Sequence, residues 1–257
     1  MGLSGEKILK TYEQMSLVSS FRFGCHEEIP CFNKCCGDVN IFLTPYDVLR
    51  MKNRLKMESE EFLEKYTQIP IEKSHKFPIV KLKMGKSDGL PCLLVTEEGC
   101  SIYEDRPWPC RMYPLGMAMP KDHDSGKEFY FLMKEEVCEG FGEPSEWTVL
   151  RWFENQEIEK YNEFGRLFKE ITLHEHFSEG KALTPEKMEM FYMACYDLDR
   201  FRQFVFKSTF LKRFDVREKV LTAIQDNDEA LLKFASRWLK FCLYGKKTMK
   251  IRPEATT

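Results

Sequence analysis

None of the 257 residues belongs to an apolar run of the roughly 18 to 20 positions that a membrane span needs. An excess of one charge is also missing. The formal net charge is −2, which gives no electrostatic case for nucleic acid or an anionic membrane as a partner. No glycine-rich strand-to-helix loop occurs, so the phosphate cradle of dinucleotide-binding folds is excluded. No C-x-x-C pair occurs, and thiol redox chemistry without a metal lacks its usual activated dithiol. Internal repeats and low-complexity tracts are absent too. The opening "MGLSGEKILKTYEQM" has lysines but no apolar run after them, unlike a secretory signal. Glu6 stands where a myristoylation signal needs Ser or Thr. These absences predict a cytoplasmic protein with no membrane span and no nucleic-acid partner.

What the chain has is cysteine, and it is unevenly spread. Eight of the ten fall within residues 25–138, as Cys25, Cys31, Cys35, Cys36, Cys92, Cys100, Cys110 and Cys138. Reduced cytosolic thiols seldom form disulfides, so clustering of this kind points to a metal. The spacing is C-x5-C-x3-C-C, then 55 residues, then C-x7-C-x9-C, and 27 more before Cys138. No single stretch supplies four thiolates at zinc-finger spacing. The fold must therefore bring the 25–36 group to the 92–138 group, closing a long loop on the metal. Soft sulfur suits zinc, copper(I) and iron–sulfur clusters. If Cys35 and Cys36 lie on extended backbone, their side chains point to opposite sides and serve two irons or two ions more easily than one. The cysteines between them allow two four-sulfur sites or one site with spare thiols, and their pairing is open. Cys92 and Cys100 share a sheet face or oppose each other according to the length of the connection between their strands.

Around Cys110, "RPWPCRMYP" reads as a proline-stiffened loop. There Arg106 and Arg111 either offset thiolate charge or form surface salt bridges. His26 is a weaker ligand candidate beside Cys25, and "HEH" at 174–176 reads as a solvated helix end. His75 and His123 read as loop residues, and Cys195 and Cys242 as core residues.

Local patterns predict an α+β fold. A small cysteine-rich, metal-binding part with short strands covers residues 1–143, and a mainly α-helical part follows over 144–257. The boundary sits in the Gly- and Pro-punctuated "EGFGEPSE". Thr44 and Pro45 predict a helix N-terminus with Asp47 in its first turn, and "SEEFLEKYT" a second helix. "IVKLKM" alternates as a half-buried strand does, "PCLLVTEEGCSIY" reads as two strands about Gly99, and "KEFYFLMK" as another. From Trp147 onward the periodicity is helical, with a Thr184–Pro185 start and a stop at Gly245. "FYMACYDLDRFRQFVFKSTFLKRF" carries aromatics around its length, which predicts either core or a docking surface for a protein partner.

Taken in order, "CFNKCC", "LTPYDVLRMKNRL", "EEFLEKYT" and "PCLLVTEEGCSIYEDRPWPCRMYPL", with Cys138 after them, resemble the CxxCxxCC-type cysteine-cluster proteins (YkgJ-like, zinc- or iron-chelating). The resemblance spans about residues 21–141, with first intervals of x5 and x3 where the family name has x2. It implies a zinc or iron–sulfur centre on Cys31, Cys35, Cys36, Cys92, Cys100 and Cys110, with Cys138 and Cys25. The main expectation is a metal-binding protein, an iron–sulfur cluster before zinc, for electron transfer, metal handling or assembly with a partner. The family also includes flagellin lysine N-methylases, which implies as an alternative a protein-modifying enzyme using S-adenosylmethionine. That enzyme reading has no C-x3-C-x2-C triad here to support a radical mechanism. A purely structural zinc module is the remaining alternative.

Overall fold

Thr44 opens the first helix as its sequence predicts. Its hydroxyl accepts from Asp47 N–H at 3.3 Å, and the Asp47 carboxylate accepts from Thr44 N–H at 2.7 Å, a reciprocal capping box. The computed structural model describes residues 12–70, 75–118, 128–178 and 180–253; the His123 candidate lies outside them. Two compact units interleave along the chain. One comprises residues 1–39, 84–103 and 108–160, the other 40–83, 104–107 and 161–257. The architecture is α+β, with short strands in small sheets in the N-terminal half and a mainly helical C-terminal part.

In the second unit, α1 (Pro45–Leu55) and α2 (Ser59–Tyr66) accompany the strands β2 (Phe42–Leu43), β3 (Thr67–Gln68) and β4 (Val80–Leu82). The sheet runs β2-β4-β3, all antiparallel, with Lys81 opposite both Phe42 and Gln68. Alternation in β4 buries Val80 and Leu82 and leaves Lys81 half-exposed. The helices after α5 (Ile158–Thr172) are α6 (Glu175–Ser178), α7 (Pro185–Cys195), α8 (Leu198–Lys207), α9 (Phe210–Arg213), α10 (Glu218–Asp226) and α11 (Asp228–Tyr244), the last ended by Gly245 at φ 65°.

The aromatic stretch from 191 to 214 is thus three helices, broken where Asp197 caps α8 and again at Ser208 and Thr209. Each helix buries its own face, so rings occur all around the sequence while Phe191, Tyr196, Phe201, Phe210 and Phe214 are core. Full burial of one such ring contributes roughly 1.5–3 kcal/mol. Cys195 is buried and Cys242 half-buried. His174 is half-buried rather than solvated, its ring stacked on Tyr244 with centroids 3.7 Å apart.

Charges in this unit are buried in a closed network. Lys52 Nζ lies 3.1 Å from Asp199 and 3.2 Å from Asp228. Ser59 N–H donates to Asp199 at 2.8 Å, and Arg202 pairs with Asp228. Burial alone would raise the Asp199 carboxyl, but the Ser59 hydrogen bonds and Lys52 outweigh it and hold the pKa below the ordinary range.

The first unit is thinner. Strands β1 (Ser20–Arg22) and β9 (Glu146–Thr148) form one antiparallel pair, with Phe21 opposite Trp147. Strands β7 (Leu115–Ala118) and β8 (Phe129–Leu132) form another, and β5 (Val95–Thr96) with β6 (Gly99–Cys100) a third. Trp147 therefore lies in a strand, not in the helix its periodicity suggests. The helix α4 (Val149–Asn155) begins only after Thr148 caps it, and the chain turns again at Glu157, φ 50°, before α5. Phe21, Phe23, Met112, Leu115, Val149, Trp152 and Ile158 make a core of this unit's own. Phe23 meets Trp152 edge-on, with centroids 5.6 Å apart.

Candidate metal centre

All eight clustered cysteines belong to the first unit, although they come from three separate stretches of its sequence. Backbone contacts explain how. Cys92 N–H donates to Cys36 C=O at 2.7 Å and Asp38 N–H to Leu90 C=O at 3.0 Å, so segments 36–38 and 90–92 run alongside each other. That approach needs glycine. A Cβ on Gly37 would sit 2.3 Å from the Gly89 carbonyl oxygen. Asn33, in the left-handed region at φ 65°, donates from Nδ2 to Thr96 C=O at 2.9 Å and ties the same loop to the β5–β6 hairpin.

Cys35 and Cys36 close a short 3-10 turn, Lys34–Cys36. The extended-backbone argument against a shared ion does not hold there, because a helical turn does not alternate its side chains. The Cys36 thiol donates to the Cys35 sulfur and favours the Cys35 thiolate. Cys36 is raised in turn, first by that bond, then by burial, then by the charges of Cys35, Cys110 and Cys92. Burial raises Cys92 as well, and Cys100 adds to it. Cys92 itself lies outside the hairpin, bridged to Met84, while Cys100 in β6 pairs with Val95. Neither alternative for a shared strand face applies.

Cys110 stands on a short helix, α3 (Trp108–Met112), rather than in a stiff loop. Arg111 and Met112 point inward and are buried, which turns Cys110 outward and exposed. Arg111 lies in the interior rather than on the surface. Its Nη1 donates to Gln156 C=O at 2.6 Å and anchors the helix. Arg106 is buried too, in the second unit. Further along the third stretch, half-buried Cys138 lies against the core. Glu139 N–H donates to the Cys31 sulfur at 3.2 Å, and Gly24 N–H to Gly140 C=O at 3.0 Å, which brings the Cys25 and Cys31 segment beside Cys138. His26 Nε2 is 3.1 Å from a Glu143 carboxylate oxygen, and Cys25 beside it is exposed.

Neighbouring sulfurs thus link up. Cys92 connects Cys100 to Cys36, Cys36 connects to Cys35 and Cys110, and the Tyr113 phenol feels both Cys35 and Cys138. Among the described residues no group of three or more His, Cys, Asp or Glu side chains is disposed to hold a metal ion. The chemistry of the donor set nonetheless fits a thiophilic metal: the donors are soft sulfurs, several to the site, with one thiol already biased toward thiolate. Asn33 and Tyr113 escaped the sequence reading as parts of this site. For Tyr113 the signal was its place three residues after Cys110, one helical turn on.

No solved structure matches the chain. A family model does, over residues 24–139, and it is that of CxxCxxCC, described as a putative zinc- or iron-chelating domain. The match begins one residue before Cys25 and ends one residue after Cys138, enclosing the eight cysteines that the first unit gathers. Residues 24–139, just under half of the chain, are thus similar to the CxxCxxCC family, whose description supports metal binding by this part of the chain.

Proposed function

We propose that the first unit holds a cysteine-thiolate metal centre whose ligands come from Cys25, Cys31, Cys35, Cys36, Cys92, Cys100, Cys110 and Cys138. The centre is an iron–sulfur cluster of the [4Fe–4S] type, serving electron transfer or metal handling. The observation that supports it is the string of five neighbouring sulfurs, Cys100, Cys92, Cys36, Cys35 and Cys110, with Cys138 reached through the Tyr113 phenol. A string spread over several segments suits a body of several irons, each taking its own thiolate, better than one small ion.

The unit also buries an aromatic core of its own, so metal is not needed to replace one, as it is in a zinc finger. Exposure of Cys25 and Cys110 suits exchange of metal or electrons with the outside. Such thiols persist in a reducing compartment, which supports a cytoplasmic location.

Zinc is the second reading, and the hydrogen-bonded Cys35–Cys36 pair favours it, since neighbouring sulfurs match two corners of one tetrahedron. Metal and acid-labile sulfide analysis on protein purified without air separates the two. Iron with sulfide and a broad visible absorption is the expected result. Stoichiometric zinc without colour establishes the second reading, and protein with neither metal overturns both.

A further inference from the structure

Tyr113 Oη is the one buried side-chain oxygen or nitrogen among the described residues of the first unit that has no hydrogen bond of good geometry. A buried hydroxyl without a partner is unusual enough to need a reason. The ring cannot readily swing to water. It packs edge-on against Phe23, centroids 5.7 Å apart at 74°, beside the Met112 and Leu115 core. Cys138 packs against the same core as the Tyr113 ring, and Cys138, Cys35 and Glu135 act electrostatically on the hydroxyl. A thiol is a weak acceptor, whereas a metal-bound thiolate carries negative charge and accepts a charge-assisted hydrogen bond.

We propose that Tyr113 is a positioning residue of the metal centre, whose buried hydroxyl donates to the Cys138 sulfur when Cys138 is a metal-bound thiolate. This rests on the thiolate-centre reading above. The bond fixes the direction of the Cys138 sulfur and withdraws electron density from it, as outer-shell donors do at other metal sites. It also explains why a hydroxyl is kept in a pocket where the metal-free chain gives it no partner of good geometry.

The test uses the full chain and cobalt(II) as a spectroscopic probe, which reports thiolate ligation whichever metal is native. In Tyr113→Phe the sulfur-to-cobalt charge-transfer band should move to lower energy, because the sulfur becomes more electron-rich. Cobalt affinity, measured by chelator competition, should fall roughly 10-fold or more. Thermal stability of the metal-free variant should stay the same or rise, since the hydroxyl removed had no hydrogen bond of good geometry there. A fluorinated tyrosine at position 113, a stronger donor, should move the band the opposite way. Tyr113→Phe with unchanged band and affinity overturns this inference alone. So does a metal-free variant destabilised as much as the loaded one, which would mark a merely structural tyrosine. Wild-type protein that takes up no cobalt overturns the thiolate centre itself.

Discussion

The second unit buries Lys52 and pairs it within the chain, while the first gathers thiols whose natural counterpart is a soft metal. Lys52, 5% exposed, is shared between Asp199 and Asp228, and those carboxylates are further held by Ser59 and Arg202. Around Cys36 the same low-dielectric surroundings act on groups that can shed their charge. The neighbours there raise one thiol and lower the other instead of neutralising each other. A polar network that closes on itself reads as architecture. One that is left with soft donors of a single kind reads as a site for something else.

The largest effect expected from this contrast is at the cysteine turn. Cys35→Ser with Cys36→Ser should remove at least nine-tenths of the bound iron or zinc, read by elemental analysis, because hydroxyls are poor ligands for thiophilic metals. The helical circular-dichroism signal should remain. Full metal occupancy in the double variant would sink the assignment of these two residues and leave the centre to the other six.

Charge removal in the second unit comes next. Lys52→Met should cost about 3 kcal/mol in urea unfolding, the low end for breaking a buried pair, since Arg202 and Ser59 still partly satisfy the two carboxylates. A cost under about 1 kcal/mol would mean that the network behaves like an exposed ion pair. Acid sharpens the same comparison. Asp199 has a folded pKa below its unfolded one, so its contribution is full above the unfolded pKa and is lost as pH falls through the folded value. The melting temperatures of wild type and Asp199→Asn should therefore differ most at neutral pH and converge in acid. A gap that widens on acidification would reverse the sign assigned to this carboxyl.

Legibility in the sequence followed the same divide. The helices announced themselves through Thr-Pro starts, spacing at three and four, and a terminal glycine, because those signals lie within one turn of the residues they govern. The α+β class and metal binding in general were readable too, the latter from the clustering of the cysteines and the family resemblance. The first unit's strands were harder. β1 is three residues long and pairs with β9, more than a hundred residues away, so Trp147 looked helical from its neighbours although Phe21 sets its conformation. Cys35 and Cys36 illustrate the limit at the site. Their adjacency was plain, but whether their sulfurs diverge or meet depends on a turn built by Asn33 and on a backbone approach at Gly37. Tyr113 was hidden for a further reason: its role arises from Cys138, 25 residues on, which no local pattern ties to it.

The smallest expected difference compares one residue type doing one job in each unit. Thr44 caps α1 with a reciprocal set of bonds, since its hydroxyl also donates to the Asp47 carboxylate at 2.7 Å. Thr148 caps α4 with a single bond, accepting from Arg151 N–H at 3.2 Å. Thr44→Ala takes one hydroxyl donor from the fully buried Asp47 and one acceptor from its N–H, whereas Thr148→Ala releases one N–H on an exposed residue. The first should cost about 1 kcal/mol and the second about 0.5 kcal/mol in urea unfolding, both within the range for capping threonines. Equal costs would mean that the capping box adds nothing to the simple cap. A larger cost at Thr148 would mean that its place at the end of β9, opposite Ser20, outweighs its service to the helix, and that strand pairing matters more to the first unit than capping does.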